Sequence, residues 1–362
     1  QRLPLRPRPW QTDHRRHVGP RGPRHHGIAP AIEPVGIRLE PRHHLHPVFR
    51  QIAQLNPDLE ALLKIHARQH NGDGSNGSLP VGRYYNVGYQ RPNGRDIELN
   101  VKEDAKLDHD GTSLTFNWNL GDYTLTSITA WRGWDNTQYQ DGDRLGTVSA
   151  AFPGTADKGE LDFNQYSQEL RLASPKGEFL EYVGGLFYMH GKDDETYQRT
   201  LTTTTRTDRG VADYSTTSDS YAVFGETTLN FTSRFRGIAG LRYTHDDLKY
   251  DHRRVSTSAT TVSGIQPATS SSGSVDEDGW SGRLGVQYDI SDSVTSYLTY
   301  SRGYKGPAYN VFFNMQPRDT DALKPETSNT WEAGIKATAW NNRLTTNLAV
   351  FHSDYDNYQA NF

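Results

Sequence analysis

Residues 283–300 read RLGVQYDISDSVTSYLTY. Leu284, Val286, Tyr288 and Ile290 fall on one face of an extended chain, and Arg283, Gly285, Gln287 and Asp289 fall on the other. After a short polar turn, Val294, Ser296, Leu298 and Tyr300 repeat the pattern on the way back. A period of two over this length marks strand rather than helix. Two such runs across a tight polar turn make a hairpin. The returning strand runs into YSRGYKGPAYNVFF, residues 300–313, where Gly303, Gly306 and Pro307 end the ladder because proline has no N–H to donate. Tyr300, Tyr304, Tyr309, Phe312 and Phe313 crowd this stretch, in a chain with only 34% hydrophobic residues. A structure with one apolar surface and one polar surface accounts for both facts.

The same plan recurs from residue 81 onward. Leu114, Phe116, Trp118 and Leu120 alternate with Ser113, Thr115, Asn117 and Asn119, and Trp331, Ala333, Ile335 and Ala337 alternate with Glu332, Gly334, Lys336 and Thr338. Aromatics reach 11% of the chain, which excludes a disordered protein. Turns of two to five residues alternate with long polar connections, the clearest being the Ser/Thr/Gly-rich run from Tyr243 to Trp280. A soluble sandwich has no reason to segregate short turns from long ones, whereas an outer-membrane barrel does. Six of the seven Trp lie in this region, several near a strand end or turn. Small residues such as Ala333 and Ala337 on the apolar faces suit lipid better than a packed sandwich core. The expected fold is therefore an all-β, antiparallel transmembrane β-barrel, incomplete, of which this chain supplies eleven to thirteen strands. Trp118, Trp131, Tyr288, Tyr300, Trp331 and Trp340 are the expected aromatic girdle, and Glu169, Arg171, Glu226, Glu332 and Lys336 are expected to face a wet lumen.

The first fifty residues do not share this pattern. They hold nine of the 18 Pro and seven of the 14 His, with ten Arg, no Lys and three acids. That leaves +7 here and −11 for the rest of a chain whose net charge is −4. Neither a 3.6 nor a 2.0 period appears, so no packed element is expected. A histidine metal site lacks supporting carboxylates, and an arginine arm for nucleic acid is the other functional reading. An Arg/Pro/His-rich composition is also what a GC-rich gene yields out of frame. Residues 51–80 suggest a short helical stretch on both sides of Pro57, closed by a Gly/Asn linker without calcium-loop spacing.

No apolar run of 18 residues exists, so no transmembrane helix is expected, which says nothing against a barrel. The absence of Cys excludes a disulfide framework and a thiolate site. No nucleophile motif or phosphate-cradling Gly loop stands out, and no enzyme, cofactor or metal is expected.

With the strands placed, YLTYSRGYKGPAYN (297–310), LKPETSNTWEAGIKA (323–337) and RLTTNLAVFHSDYDNYQ (343–359) resemble the barrel of TonB-dependent outer-membrane receptors. LTSITAWRGWDN (125–136), FNQYSQELRLASP (163–175) and FLEYVGGLFY (179–188) are similar to earlier strands of that family, in the expected order. The resemblance implies a barrel of about 22 strands filled by an N-terminal plug, of which residues 81–362 supply roughly half. It implies import of a scarce ligand, typically a ferric siderophore, haem, cobalamin or an oligosaccharide, with the TonB complex as energy source and outer-membrane lipid as surroundings. No plug is recognised before residue 81 and no TonB box is visible there, and the ending YQANF reads as a strand running outward into a loop. Family members often carry a second Gly where this chain has Pro307. External loops rich in Tyr, Phe and Arg suit an aromatic or anionic chelate, and the candidates are Tyr304, Tyr309, Phe312, Phe313, Arg253, Arg254 and Arg318. A passive porin-like barrel and a soluble carbohydrate-binding β-domain are the alternatives.

Overall fold

The computed structural model describes residues 48–72, 99–146, 148, 152–262 and 264–360. The expectations for residues 1–47 and for most of the Gly/Asn linker lie outside these described residues. The described chain forms one antiparallel meander in which each strand pairs with the next. The strands are β1 (Val48–Asn56), β2 (Leu59–Gly72), β3 (Asp104–Leu120), β4 (Tyr123–Asp141), β5 (Gly154–Ala173) and β6 (Leu180–Thr202). They continue as β7 (Thr207–Asn230), β8 (Phe235–Ser256), β9 (Thr269–Ser291), β10 (Val294–Lys305), β11 (Glu326–Ala339) and β12 (Leu344–Asp356). Among the described residues the sheet is not closed, since β1 and β12 each pair along one side only. It is all-β, with twelve antiparallel strands forming part of a barrel wall.

The segment expected to be helical is instead the first hairpin. β1 pairs with β2, Phe49 opposite Ile65 and Ile52 opposite Leu62. Pro57 and Asp58 form its turn, where the Asn56 side-chain oxygen accepts the Asp58 N–H at 2.9 Å. Leu62 and Leu63 put apolar groups on both faces of β2, so the run LEALLKI mimics helical spacing. Pairing decides the matter: Ala61 lies opposite Phe116 and Leu63 opposite Leu114 on β3.

Turns at one end of the sheet are short: 57–58, 121–122, 231–234, 292–293 and 340–343, with 174–179 a little longer. At the other end the connections include 142–153, 257–268 and 306–325. The run from Tyr243 to Trp280, expected as a long loop, is mostly strand. β8 continues to Ser256 and β9 starts at Thr269, leaving only 257–268 between them. Both faces of this extension carry polar groups, so the apolar alternation that reveals a strand is missing there.

The apolar face has no cover. Leu186, Leu241 and Leu284 are 59%, 58% and 60% exposed, the opposite of what burying such side chains would achieve, at about 1.5–3 kcal/mol each. A buried apolar cluster occurs instead at the long-connection end, where Leu201, Ala212, Ile265 and Phe313 meet.

Candidate functional site

Two rows of aromatics bracket the apolar band. Towards the long connections, Trp131 lies opposite Tyr166. Tyr188 then pairs with Tyr221 (5.0 Å between ring centroids), Tyr243 with Trp280 (4.7 Å) and Tyr300 with Trp331 (5.0 Å). Hydroxyls of this row are tied to polar residues one step further out. Tyr188 donates to Asp219 at 3.0 Å, Tyr243 to Asp278 at 2.6 Å and Tyr300 to Asn329 at 2.7 Å. His190 and His245 sit beside the same two aspartates, each 2.9 Å away through Nδ1. At the short-turn end lie Trp118, Tyr288 and Trp340, with Phe231 between Phe179 (6.2 Å) and Phe235 (5.5 Å). Rings with an apolar body and a polar tip are what a membrane–water boundary selects. All six expected girdle residues fall in these two rows; Trp340 sits in the 340–343 turn itself, at φ 52°.

The other face is polar. Arg283 grips Glu226 with two 2.7 Å hydrogen bonds, and Arg171 stands 3.4 Å from Glu169. The Tyr297 hydroxyl donates to Glu332 at 2.6 Å, and Lys336 lies 5.4 Å over the Tyr297 ring. Arg242 is stacked between Phe187 (5.0 Å) and Phe224 (5.8 Å). The five residues expected to face a lumen therefore lie on the face opposite the lipid-like band, Glu169 and Arg171 paired with each other and the other three engaged with Arg283 or Tyr297. Such exposed pairs contribute only about 0–1 kcal/mol each, so their significance is placement rather than stability.

Beyond the upper aromatic row, β6 to β9 continue as a tall wall, β8 by thirteen residues or roughly 40 Å from Tyr243 to Ser256. The 306–325 connection folds onto the polar face of this wall. Phe313, 6% exposed, packs with Leu201, Ala212 and Ile265, its ring 5.1 Å from Tyr197. Tyr309 covers Tyr250 at 4.5 Å. The Tyr304 hydroxyl donates to Asp246 at 3.0 Å, and its ring lies so close over Gly279 that a Cβ there would overlap it. Burial first, and then the Asp246 carboxylate, raise the Tyr304 phenol well above its ordinary range. Arg254 donates to three main-chain carbonyls: Pro267 at 2.9 Å, Phe313 at 2.8 Å and Met315 at 3.0 Å. Asp157 and Arg199 form a two-point ion pair at 2.7 and 2.6 Å, and Tyr214 donates to Glu195 at 2.7 Å.

Of the seven expected ligand residues, the structure lays Tyr304, Tyr309 and Phe313 in turn along the face of β8 that carries Asp246, Tyr250 and Arg254, with Phe312 half-buried beside Phe313; Tyr304, expected in a loop, is on β10. Arg253 and Arg254 were expected in a loop but lie on β8, where neighbours point to opposite faces, so Arg253 turns away towards Asp213, its partner on β7. Arg318 stands exposed in the short 3₁₀ turn Pro317–Asp319, 3.9 Å from Asp319. Phe313 and Arg254 are committed to holding the connection down. The wall residues Tyr197, Arg199, Tyr214, Tyr250 and His252 escaped the sequence reading. The signal was the period-two run Tyr250, His252, Arg254 inside a stretch that otherwise looks like loop.

A family model described as "TonB dependent receptor-like, beta-barrel" matches residues 56–362. Among solved structures, the ferric yersiniabactin uptake receptor FyuA from Yersinia pestis is 18% identical, with a TM-score of 0.65 over 82% of this chain and 42% of that one. The ferric-catecholate import receptor Fiu from E. coli K12, in its closed form, is 14% identical, with a TM-score of 0.62 over 84% of this chain and 50% of that one. The copper transporter OprC is 16% identical, with a TM-score of 0.55 over 80% and 41%. The chain thus spans half or less of the length of these structures. An uncovered apolar band between two aromatic rows, on a meander of this topology, agrees with the family match: the chain belongs to the TonB-dependent receptor family and carries part of its β-barrel.

Proposed function

We propose that this chain forms part of the wall of an outer-membrane uptake receptor that captures a metal chelate, most simply a ferric siderophore, and passes it inward with energy from the TonB complex. The observation that carries this reading is the two-faced sheet. One face offers lipid an apolar band between aromatic rows, and the other offers water a line of paired charges, ending in an aromatic and cationic cluster at the long-connection end. Two of the solved receptors it resembles are named for ferric chelates and one for copper, so a transition metal is the shared theme and a ferric chelate the commoner form. The ligand would meet Tyr304, Tyr309 and the wall beneath the 306–325 connection. Uptake of radiolabelled iron, offered on a panel of siderophores to the parent strain, a gene deletion and a strain lacking TonB, tests the reading. Uptake of at least one chelate should vanish in both mutants. Uptake lost with the gene but retained without TonB would instead make it a passive pore, and protein soluble without detergent would refute the membrane reading.

A further inference from the structure

His252 lies on the polar face of β8, nine residues beyond Tyr243 and roughly 30 Å above the aromatic row. It is fully shielded from solvent, and neither ring nitrogen makes a hydrogen bond of good geometry. The ring stacks on Tyr214, its partner across β7, with centroids 5.9 Å apart. Its partner on β9 is Ser271, whose hydroxyl lies 3.8 Å from the Met315 sulfur. The main chain of Phe312 and Phe313 roofs the ring and favours its charged form, though by less than burial and Arg254 disfavour it. One step along the same face, buried Arg254 holds that roof through the Phe313 and Met315 carbonyls. An imidazole and a guanidinium thus share one closed compartment under one segment of chain.

The charges around His252 do not favour a second cation. On β7 the facing titratable group is Tyr214, whose hydroxyl is given to Glu195 of β6. On β8 the same-face neighbours are Arg254 and Tyr250, while Asp251 points to the opposite face and favours the charged ring least of the groups around it. On β9 the facing residue is uncharged Ser271, and Glu277 lies further down, near Tyr304. The 306–325 segment presents carbonyls, not carboxylates, to this compartment. Charging an imidazole without water or a counter-ion is costly. The compartment therefore closes more readily over a neutral ring than over a charged one.

We propose that His252 is a proton-operated latch: neutral, it lets the 306–325 segment lie closed over the wall of β7 to β9, and protonated, it drives that segment off. Burial and then Arg254 hold the imidazole below its ordinary value of 6.5, so an opened segment binds a proton more readily than a closed one. Linkage then fixes the sign: closure is complete above about pH 6.5 and weakens as the pH falls below it.

The test uses the gene product in isolated outer membranes. This chain contains no Cys, so R318C places one nitroxide label on an exposed position of the segment. The mobile fraction of the label should rise about threefold or more between roughly pH 7.5 and pH 5, and the step should disappear in R318C with His252→Phe, which keeps a buried ring without a titrating proton. A label indifferent to pH in the parent overturns the proposal, as does the same step surviving in the His252→Phe protein. Should that variant fail to assemble, His252→Gln takes its place and the same two outcomes decide.

Discussion

Arg254 shows how one side chain can organise a long connection. Its guanidinium replaces water for three carbonyls at once, and charged hydrogen bonds of this kind contribute about 1.5–3 kcal/mol each. Arg254→Met keeps the stem but loses the donors. Limited proteolysis of membranes should then cut within 306–325 at least tenfold faster, with the barrel strands unaffected; unchanged cleavage would mean that Phe313 alone holds the segment. Asp143, in the connection after β4, offers a second test. Burial raises its carboxyl to about 6, and the nearby Asp141 adds to this, although the Thr155 and Leu145 N–H groups pull the other way. A folded value above the ordinary 3.8 means that the folded connection keeps a proton the unfolded one has lost. Stability of this connection should therefore fall as the pH rises from about 4 to about 6. Asp143→Asn should remove that dependence and slow amide exchange at Leu145 and Thr155 at neutral pH. A variant with the same pH profile as the parent would show that the carboxyl is not protonated in this window.

At the scale of elements, the register creates a row that residue types alone did not announce. Asp108, Asp135, Asp162 and Asp194 stand directly opposite one another across β3 to β6, on the face that carries Trp131 but further out. Like charges directly opposite on a sheet repel, by about 0.2–1 kcal/mol per pair. Asp135 has two such neighbours, so Asp135→Asn should raise the unfolding temperature of the detergent-solubilised protein by a few degrees in low salt, and by less in high salt. A fall in stability would mean that the row has a counter-charge the sheet itself does not supply. The strands between the aromatic rows were legible because water on one side and an apolar medium on the other write a period of two into the chain, as at Leu284, Val286 and Tyr288. The upper halves of β8 and β9 have water on both sides and write nothing, so Arg253 and Arg254 looked like loop residues. β2 failed in the opposite way, since Leu62 and Leu63 side by side mimic a helix until β3 is seen pairing with Leu63. The site suffered most, because Tyr250 and His252 matter through a loop that returns from about sixty residues away, and Tyr214 through the same loop from about a hundred, a relation set by tertiary folding.

At the scale of the whole molecule, the sheet has one surface that only an apolar medium can satisfy and two edges that only further strands can satisfy. β12 pairs with β11 along one side, and its Leu348, Val350 and Phe351 are 65–72% exposed. Among the described residues, β1 is likewise bound only to β2. Within a bilayer, an unpaired strand edge leaves N–H and C=O groups with neither water nor protein to bond, each at a cost of several kcal/mol. Closing the sheet on itself would remove the edges, but twelve strands joined this way must reset their tilt and stagger, and the meander shows no pairing of β1 with β12. Expressed alone, this chain should therefore collect in aggregates rather than insert. The full gene product, if it supplies the remaining strands, should reach the outer membrane as a heat-modifiable monomer. Gel migration of boiled and unboiled samples, with circular dichroism of the detergent extracts, separates the two outcomes. A stable, heat-modifiable monomer from these 362 residues would mean that the twelve strands close unaided, and the account of a part-barrel wall would have to give way to a small complete barrel.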